Sequence, residues 1–313
     1  VTPRILIVND GADRTGALAS RLRWRGAEVV VAPLAAIAFD SNSPSGLAIP
    51  GLGEALPNAV LVRSIAAGSF EAITRRLGVL HALGRLGVPV WNSAQAIERC
   101  VDKSMTTFLL QQAGLPTPAT FAVEGRADAE EIAARELASG PLVLKPLFGA
   151  QGRGLRLIQA PDDLPAPEEV GDVYYLQRYI RRPGPPFRDY RVFVCAGEAV
   201  AMMSRRGDDW ITNVNRGAVP EGLSARHHEE LSWLAVAATA AVGANLAGVD
   251  IIREADGGVL VLEINSMPAW SGLQSVVTVD IADAIAAALL RSLEASIQGA
   301  ALAPRVPADA GRV

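Results

Sequence analysis

Lysine is almost missing from this chain: 313 residues include only Lys103 and Lys145, against twenty-seven arginines. Cysteine is as scarce. Cys100 and Cys195 stand far apart with no Cys-x-x-Cys spacing, which argues against a disulfide framework or a zinc site and for a reducing compartment. No apolar run approaches the ~20 residues of a membrane span. Val1-Thr2-Pro3-Arg4 leads straight into a strand pattern, so no signal peptide is expected and a cytoplasmic location is. A net charge of −4 gives no global attraction to nucleic acid or membrane, and neither is expected as a partner. Gly-x-Gly-x-x-Gly does not follow the first strand, where Asn9-Asp10-Gly11 stands, so a dinucleotide fingerprint is absent. Gly-x-Ser-x-Gly is missing too, and no paired Cys/His points to a covalent nucleophile. His81, His227 and His228 show no partner spacing and read as structural or surface residues.

Half of the residues are apolar, which permits a large core, and the length implies two or three structural units. Residues 1–101 alternate strand and helix signals, as a parallel sheet requires. Strands are expected at Ile5–Val8, Glu28–Val31, Ala59–Val62 and Val88–Trp91, and helices at Gly16–Arg25 and Ser69–Leu86. Asp40–Gly53 reads as a Ser/Pro/Gly-rich loop. A second unit, 102–180, begins with a helix through Gln112. It continues with strands at Ala119–Val123, Leu142–Lys145, Gly154–Ile158 and Val173–Ile180 and a helix at Ala127–Ser139. A third, 181–298, follows Arg181-Arg182-Pro183-Gly184-Pro185-Pro186, read as a linker. Its strands, Tyr190–Cys195, Ala199–Ser204, Gly248–Arg253 and Val259–Ile264, have the spacing of an antiparallel sheet. Helices are expected at Ser224–Ala241 and Ile281–Ile297, and residues 299–313 as a flexible tail.

The chemistry concentrates in a few places. Lys145 ends an apolar run and precedes Gly149-Ala150-Gln151-Gly152-Arg153-Gly154. A compact, flexible charge beside a loop rich in backbone N–H groups suits a polyphosphate. The loop is no Walker A sequence, since it lacks the closing Lys-Ser/Thr, and an ordinary hairpin turn is the bland alternative. Asp250 sits in one apolar strand, and Glu263 and Asn265 in the next, joined through the Asp256-Gly257-Gly258 turn. Glu263 and Asn265 are two apart and share a face, whereas Leu260, Leu262 and Ile264 face the other way. Two carboxylates and an amide oxygen then converge as hard ligands suited to Mg²⁺; two acids side by side would repel without a cation. The alternative is the solvent face of an edge hairpin. Asp189 and Arg191 also share a strand face, as a surface ion pair or as contacts to a ribose hydroxyl and a phosphate. Arg205, Arg206 and Arg216 flank Asn213 and Asn215; their forks match carboxylates and phosphates, or they are solvated loop charges. Arg205, Asn213 and Arg216 lie between the phosphate and metal strands in sequence order, and the family resemblance described below, which places that segment across the cleft, implies that they hold a substrate carboxylate or the transferring phosphate. Arg63, at the end of an N-terminal strand, is the weaker candidate.

From Trp91 to Asp283 the chain resembles the ATP-grasp superfamily, and within it the RimK-type glutamate ligases. The segments that carry this are DKSMTTFLLQQAGLPTP, PLVLKPLFGAQGRGL, YLQRYI, RDYRVFV, TNVNRGA, AGVDII and VLEINSMPAWSGLQ, in that order and spacing. The resemblance implies an ATP-grasp fold preceded by a small parallel α/β domain. It implies that Lys103 and Lys145 contact ATP phosphates and that the loop of Gly149, Gln151, Gly152 and Gly154 closes over them. Gln177, Tyr179 and Ile180 would line the adenine, Asp189 would hold the ribose, and Arg191 would face the phosphates. Asp250, Glu263 and Asn265 would hold two Mg²⁺ or Mn²⁺ ions. Arg178 stands where the family often has an acid, and Asn265-Ser266-Met267-Pro268-Ala269-Trp270 is closer to ligases of tetrahydromethanopterin-type cofactors than to those that modify ribosomal proteins. The implied activity joins an acid to an amino-acid amine, such as that of glutamate, through an acyl phosphate, with release of ADP. A kinase and a nucleotide-binding protein without turnover are the alternatives. Homo-oligomerisation is left open.

Overall fold

The computed structural model describes residues 2–10, 15–149, 154–223 and 228–302, with side chains through 295. The first sheet is built from β1 (Arg4–Val8), α1 (Gly16–Trp24), β2 (Glu28–Ala32), the short hairpin β3 (Ala38–Phe39) and β4 (Leu47–Ala48), then β5 (Ala59–Val62), α2 (Phe70–Arg85), β6 (Val90–Trp91) and α3 (Ala94–Val101). Its order is β2-β1-β5-β6, and all pairs are parallel. Ile5 to Val8 of β1 and all of β5 are apolar and buried because helices cover both faces, as parallel sheets require. Ser69 and Ser93 cap α2 and α3 by accepting from Ala72 N and Ala96 N. The stretch expected as a loop at Asp40–Gly53 contains β4, whose Leu47 is buried against β2 and α2; serine–serine and serine–carbonyl bonds within the turn supply the missing polar partners.

The second sheet comprises β7 (Thr120–Glu124), β8 (Leu142–Lys145), β9 (Arg156–Ile158) and β10 (Val173–Arg178), in the order β7-β10-β8-β9 and antiparallel. Helix α4 (Lys103–Gln112) precedes it, α5 (Arg126–Glu136) covers one face, and a single turn, α6 (Pro167–Val170), leads into β10. Asp102 caps α4 by accepting from Ser104 N and Met105 N, so Lys103 is fixed at the helix start.

The third sheet is antiparallel, β13-β12-β11-β14-β15. It is formed by β11 (Phe187–Cys195), β12 (Glu198–Gly207), β13 (Val219–Leu223), β14 (Leu246–Arg253) and β15 (Val259–Asn265). Helix α7 (Glu229–Val242) lies on one face. It begins after the expected Ser224; residues 224–227 fall outside those described, and Gly243 at φ +73° ends it. A short α8 (Ser271–Gln274) and α9 (Ile281–Leu302) follow. Helix α9 runs past the expected end at Ile297, so residues 299–302 are helical; the rest of the expected tail lies outside the described residues.

The first and third sheets share a core. Ile5, Ile7, Leu18 and Leu22 pack in one cluster with Phe193, Met203, Ile281 and Ile285. Asn92, fully buried, fastens the two together: its amide donates to Leu246 O (2.7 Å) and Ser266 O (2.6 Å), and its oxygen accepts from Asn245 N (2.6 Å) and Leu246 N (2.9 Å). Arg63, at the carboxyl end of β5, donates to Pro268 O (2.7 Å) and stacks on Trp270 with its guanidinium carbon 4.1 Å from the ring centre.

Candidate active site

The second and third sheets face each other across an open cavity. Val143 of β8, with Leu155 and Ile180 just beyond β9 and β10, lines it from one side, and Ile252 and Leu262 of the third sheet from the other, making an apolar slot. Lys103, Lys145, Asp250 and Glu263 add charge to the lining. Both of the chain's lysines therefore meet in one place, from elements that the sequence separates by forty residues.

Lys145 ends β8 opposite Tyr175. Burial pushes its ammonium down to about 8; Lys103 acts in the same sense, and the carboxylates of Glu263 and Asp250 oppose both. Lys103 is lowered as well, by burial first, with Glu263 and Asp102 pulling it back. Its Nζ donates to Leu147 O and Gly149 O, 3.1 Å each, and so holds the start of the glycine loop. Gly154 closes the described part of that loop at φ +72°, where a Cβ would lie 2.7 Å from Pro146 Cγ. Only glycine fits this position. Gln151 and Gly152 lie outside the described residues.

The carboxylates sit on neighbouring strands, with Asp250 of β14 directly opposite Glu263 of β15 and Gly248 opposite Asn265. A bulge beside Asp250 places an extra residue, Leu262, on β15. Strict alternation therefore breaks. Val261 and Ile264 enter the core beneath α7, whereas Leu262 and Glu263 both line the cavity, which corrects the expectation that Leu262 faces away from Glu263.

The cation beside these acids is already in the protein. Arg191 grips Asp250 with both arms, Nε to Oδ1 at 2.7 Å and Nη2 to Oδ2 at 2.6 Å. Arg205 grips Asp189 in the same way, 2.7 Å and 2.7 Å, and reaches Asp250 Oδ2 at 3.2 Å. The result is a chain Asp189–Arg205–Asp250–Arg191, set by the direct pairing of Asp189 with Arg205 and of Arg191 with Asp250 across β12, β11 and β14. Burial pushes the Asp189 carboxyl up, against the pull of Arg205. Burial would do the same to Asp250, but Arg191 and Arg205 outweigh it and hold that carboxyl low. The two acids thus need no metal to coexist, contrary to the repulsion argument from sequence.

Among the described residues no group of three His, Cys, Asp or Glu forms a metal cage. Glu263 has no hydrogen-bond or ion-pair partner among the described residues, Asp250 Oδ1 keeps one lone pair, and Asn265 Nδ2 donates weakly to Gly248 O at 3.4 Å, leaving Oδ1 open. That donor set fits a hard, oxygen-liking dication bound jointly with substrate oxygens.

Gln177, Arg178, Tyr179, Ile180, Asp189, Arg205 and Asn213 also border the cavity; Asn265 and Arg191 are not in its lining, and Arg216 is exposed away from it. Arg178, the departure at the strand end, points back to α5. It pairs with Glu136 at 2.5 Å and donates to Glu136 O at 2.8 Å, so it serves to bind α5 to β10. Sequence reasoning missed Arg182, Trp210 and Thr212, all of which line the cavity. Arg182 falls in the stretch that the sequence presents as a linker. The one legible signal was Trp210, an isolated aromatic in a polar loop, which meets Tyr179 edge to face at 5.7 Å.

Residues 100–289 match the model of the RimK-like ATP-grasp domain. The chain is 34% identical over 302 residues to the probable alpha-L-glutamate ligase of Alkalilimnicola ehrlichii, covering 91% of this chain and 94% of that one. It is 36% identical over 201 residues to the tetrahydromethanopterin:alpha-L-glutamate ligase of Methanococcus maripaludis, covering 62% and 67%. Among solved structures, the ATP-grasp ligase PsnB complexed with minimal precursor superposes with a TM-score of 0.71 at 21% identity over 93% of this chain and 99% of that one. The fold is thus an ATP-grasp fold preceded by a small parallel α/β domain, and the chain belongs to the RimK-like ATP-grasp family.

Proposed function

We propose that this protein is an ATP-dependent carboxylate–amine ligase that joins an amino acid, L-glutamate first among candidates, to the carboxylate of a second substrate. The observation that carries this is the meeting of Lys103 and Lys145 with Glu263 and Asp250 at one side of an apolar slot. An apolar slot accepts a base, and paired lysines beside open carboxylate oxygens suit a metal-bound triphosphate. The names of the relatives support glutamate as the amine donor.

Mg²⁺ or Mn²⁺ ions, two by family resemblance, would be held by Asp250, Glu263 and Asn265 and would supply neutralisation of phosphate charge. Lys145 stabilises the γ-phosphate as an oxygen of the acid attacks it and the bond to ADP breaks. Lys103 holds the loop against the phosphates. The amine nitrogen then attacks the acyl carbon, phosphate leaves with the acid's oxygen, and the amine proton passes to solvent. No step needs a protein nucleophile; both cysteines are buried and free, with thiols pushed up to about 12 by burial. Catalysis rests on position and charge. Asn213, on the cavity wall, is the candidate contact for the acid or the transferring phosphate. Arg205 acts there through Asp250, and the exposed Arg216 would join only on substrate binding.

The acid to try first is tetrahydromethanopterin, from the name of the methanococcal relative. With ATP, Mg²⁺ and hydroxylamine in place of the amine, an acyl phosphate yields a hydroxamate and ADP. A stable phosphorylated acid without hydroxamate would mark a kinase instead. If tetrahydromethanopterin is inert, the same trap applied to a protein-free cell extract finds the acid.

A further inference from the structure

The carboxyl end of the first sheet holds a carboxylate oxygen without a partner. Asn9 and Asp10 follow β1, Arg63 and Ser64 follow β5, and the two strand ends run side by side. Ser64 Oγ accepts from Asp10 N at 2.9 Å and donates to Asn9 Oδ1 at 2.8 Å, and Asp10 Oδ2 accepts from Ala66 N at 2.9 Å. These bonds fix the Asp10 side chain. Its Oδ1 is nonetheless buried with no hydrogen bond, and no arginine or lysine pairs with this carboxylate among the described residues. Native proteins seldom leave such an oxygen bare without a ligand or water in view.

Parallel α/β sheets bind ligands at this end of their strands. Here that end abuts the segment leaving β15. Arg63 donates to Pro268 O at 2.7 Å, and Met267 and Ile65 pack against the same core cluster. Pro268 follows Asn265 by three residues, a stretch that spans at most about 11 Å. The bare oxygen is therefore near the end of β15 where the phosphates and the acid would meet, but outside the lining of the nucleotide cavity. Charge sorts the three substrates of the proposed reaction. ATP and the acid are anions, which an uncompensated carboxylate repels, whereas the amine arrives as an ammonium, which it attracts. An ionised carboxylate only accepts hydrogen bonds and an ammonium only donates them.

We propose that Asp10 Oδ1 binds the ammonium group of the incoming amino acid. This rests on the ligase function proposed above and adds the residue that selects its amine. The ammonium loses a proton to solvent before its nitrogen attacks the acyl carbon, and Asp10 stays ionised throughout. Hydroxylamine provides the test, because it attacks an acyl phosphate but is mostly uncharged at neutral pH and brings no ammonium for Asp10 to hold. Asp10→Asn keeps the size of the side chain and can still accept from Ala66 N, but it loses the charge and turns a donor toward the ammonium. The KM for L-glutamate, or for whichever common amino acid wild type accepts, is expected to rise roughly ten- to a hundredfold, the worth of a charge-assisted hydrogen bond. The KM for ATP and for the acid, the rate of hydroxamate formation and the Tm should stay at wild-type values. Asp10→Ala should show the same pattern. Equal losses with hydroxylamine and with the amino acid, or an unchanged KM for the amino acid, overturn the assignment, as does wild-type protein that forms the hydroxamate but accepts no amino acid. Wild-type protein that forms neither product overturns the ligase proposal itself, and this assignment with it.

Discussion

At the scale of single residues, the charge chain through Asp250 changes what its substitution will do. Asp250→Asn leaves Arg191 and Arg205 without the carboxylate that both grip. Breaking a buried pair from one side costs about 3–5 kcal/mol. The variant should therefore lose stability as well as turnover. Glu263→Gln, which breaks no pair, should abolish turnover with Tm close to wild type. Thermal melts beside turnover assays at saturating Mg²⁺ check both; a fully active Glu263→Gln protein would remove Glu263 from the site. Lys145 makes the second prediction. Its folded value, about 8, lies below the ordinary 10.5. A lysine lowered in this way destabilises the fold wherever it is charged in both states, below about 8, and that cost disappears as pH rises from about 8 toward 10.5. Denaturant melts of the nucleotide-free protein should show this gain, and Lys145→Met should lack it. Nucleotide affinity should run the opposite way, weakening above about pH 8 as the charge is lost. Residue identities were legible at this scale because two lysines among so many arginines are conspicuous. Arg182 and Thr212 were not, because a cavity wall made by a loop has no period to read.

At the scale of elements, the bulge in β15 decides which side chains reach the site. Period-two alternation put Ile264 on the core side, away from Glu263, but one inserted residue brings Leu262 to the cavity. The consequence is measurable. Ile264→Ala removes a core side chain beneath α7 and should cost about 2–5 kcal/mol of stability. Leu262→Ala should cost clearly less and should weaken nucleotide binding instead. Equal losses of stability with unchanged binding would show that Leu262 faces the core. The same scale separates what else was legible. β1, β5 and β8 are continuous apolar runs ended by turns, and their places followed directly. β13, Val-Pro-Glu-Gly-Leu, carries no strand signal and exists because β12 offers it an edge. Helix α3 was not foreseen, since Ala94–Val101 is short and its Ser93 cap lies only two residues after β6.

At the scale of the molecule, the first and third sheets behave as one body. Their shared core and the four hydrogen bonds of Asn92 join residues some 150 positions apart. Peripheral pairs such as Arg25–Asp283 add little, being solvent-screened. Asn92→Leu removes this partner from four backbone groups, three of them buried, and should destabilise both units together, by about 3 kcal/mol or more; a melt that splits into two transitions, with only the first unit weakened, would contradict a common core. Nothing in the sequence marked Asn92, because its partners come from β14 and from the segment after β15. The antiparallel arrangement of the third sheet was legible, whereas its union with the first was not, since sequence patterning shows which faces are apolar but not which of them meet. The second sheet shares none of that core; its β8 carries Lys145, and α4 carries Lys103, to the cavity that the carboxylates of the third sheet line. That juxtaposition is the basis of the proposed ligation. Its most direct test is to supply ATP, Mg²⁺, ¹⁵N-labelled L-glutamate and tetrahydromethanopterin, or a protein-free cell extract, and to follow nucleotides and products by mass spectrometry. The account predicts ADP and a new amide carrying the label in equal amounts, both lost in Glu263→Gln. ADP formed with a phosphorylated product and no label incorporated, or no ADP from any acid offered, would contradict it.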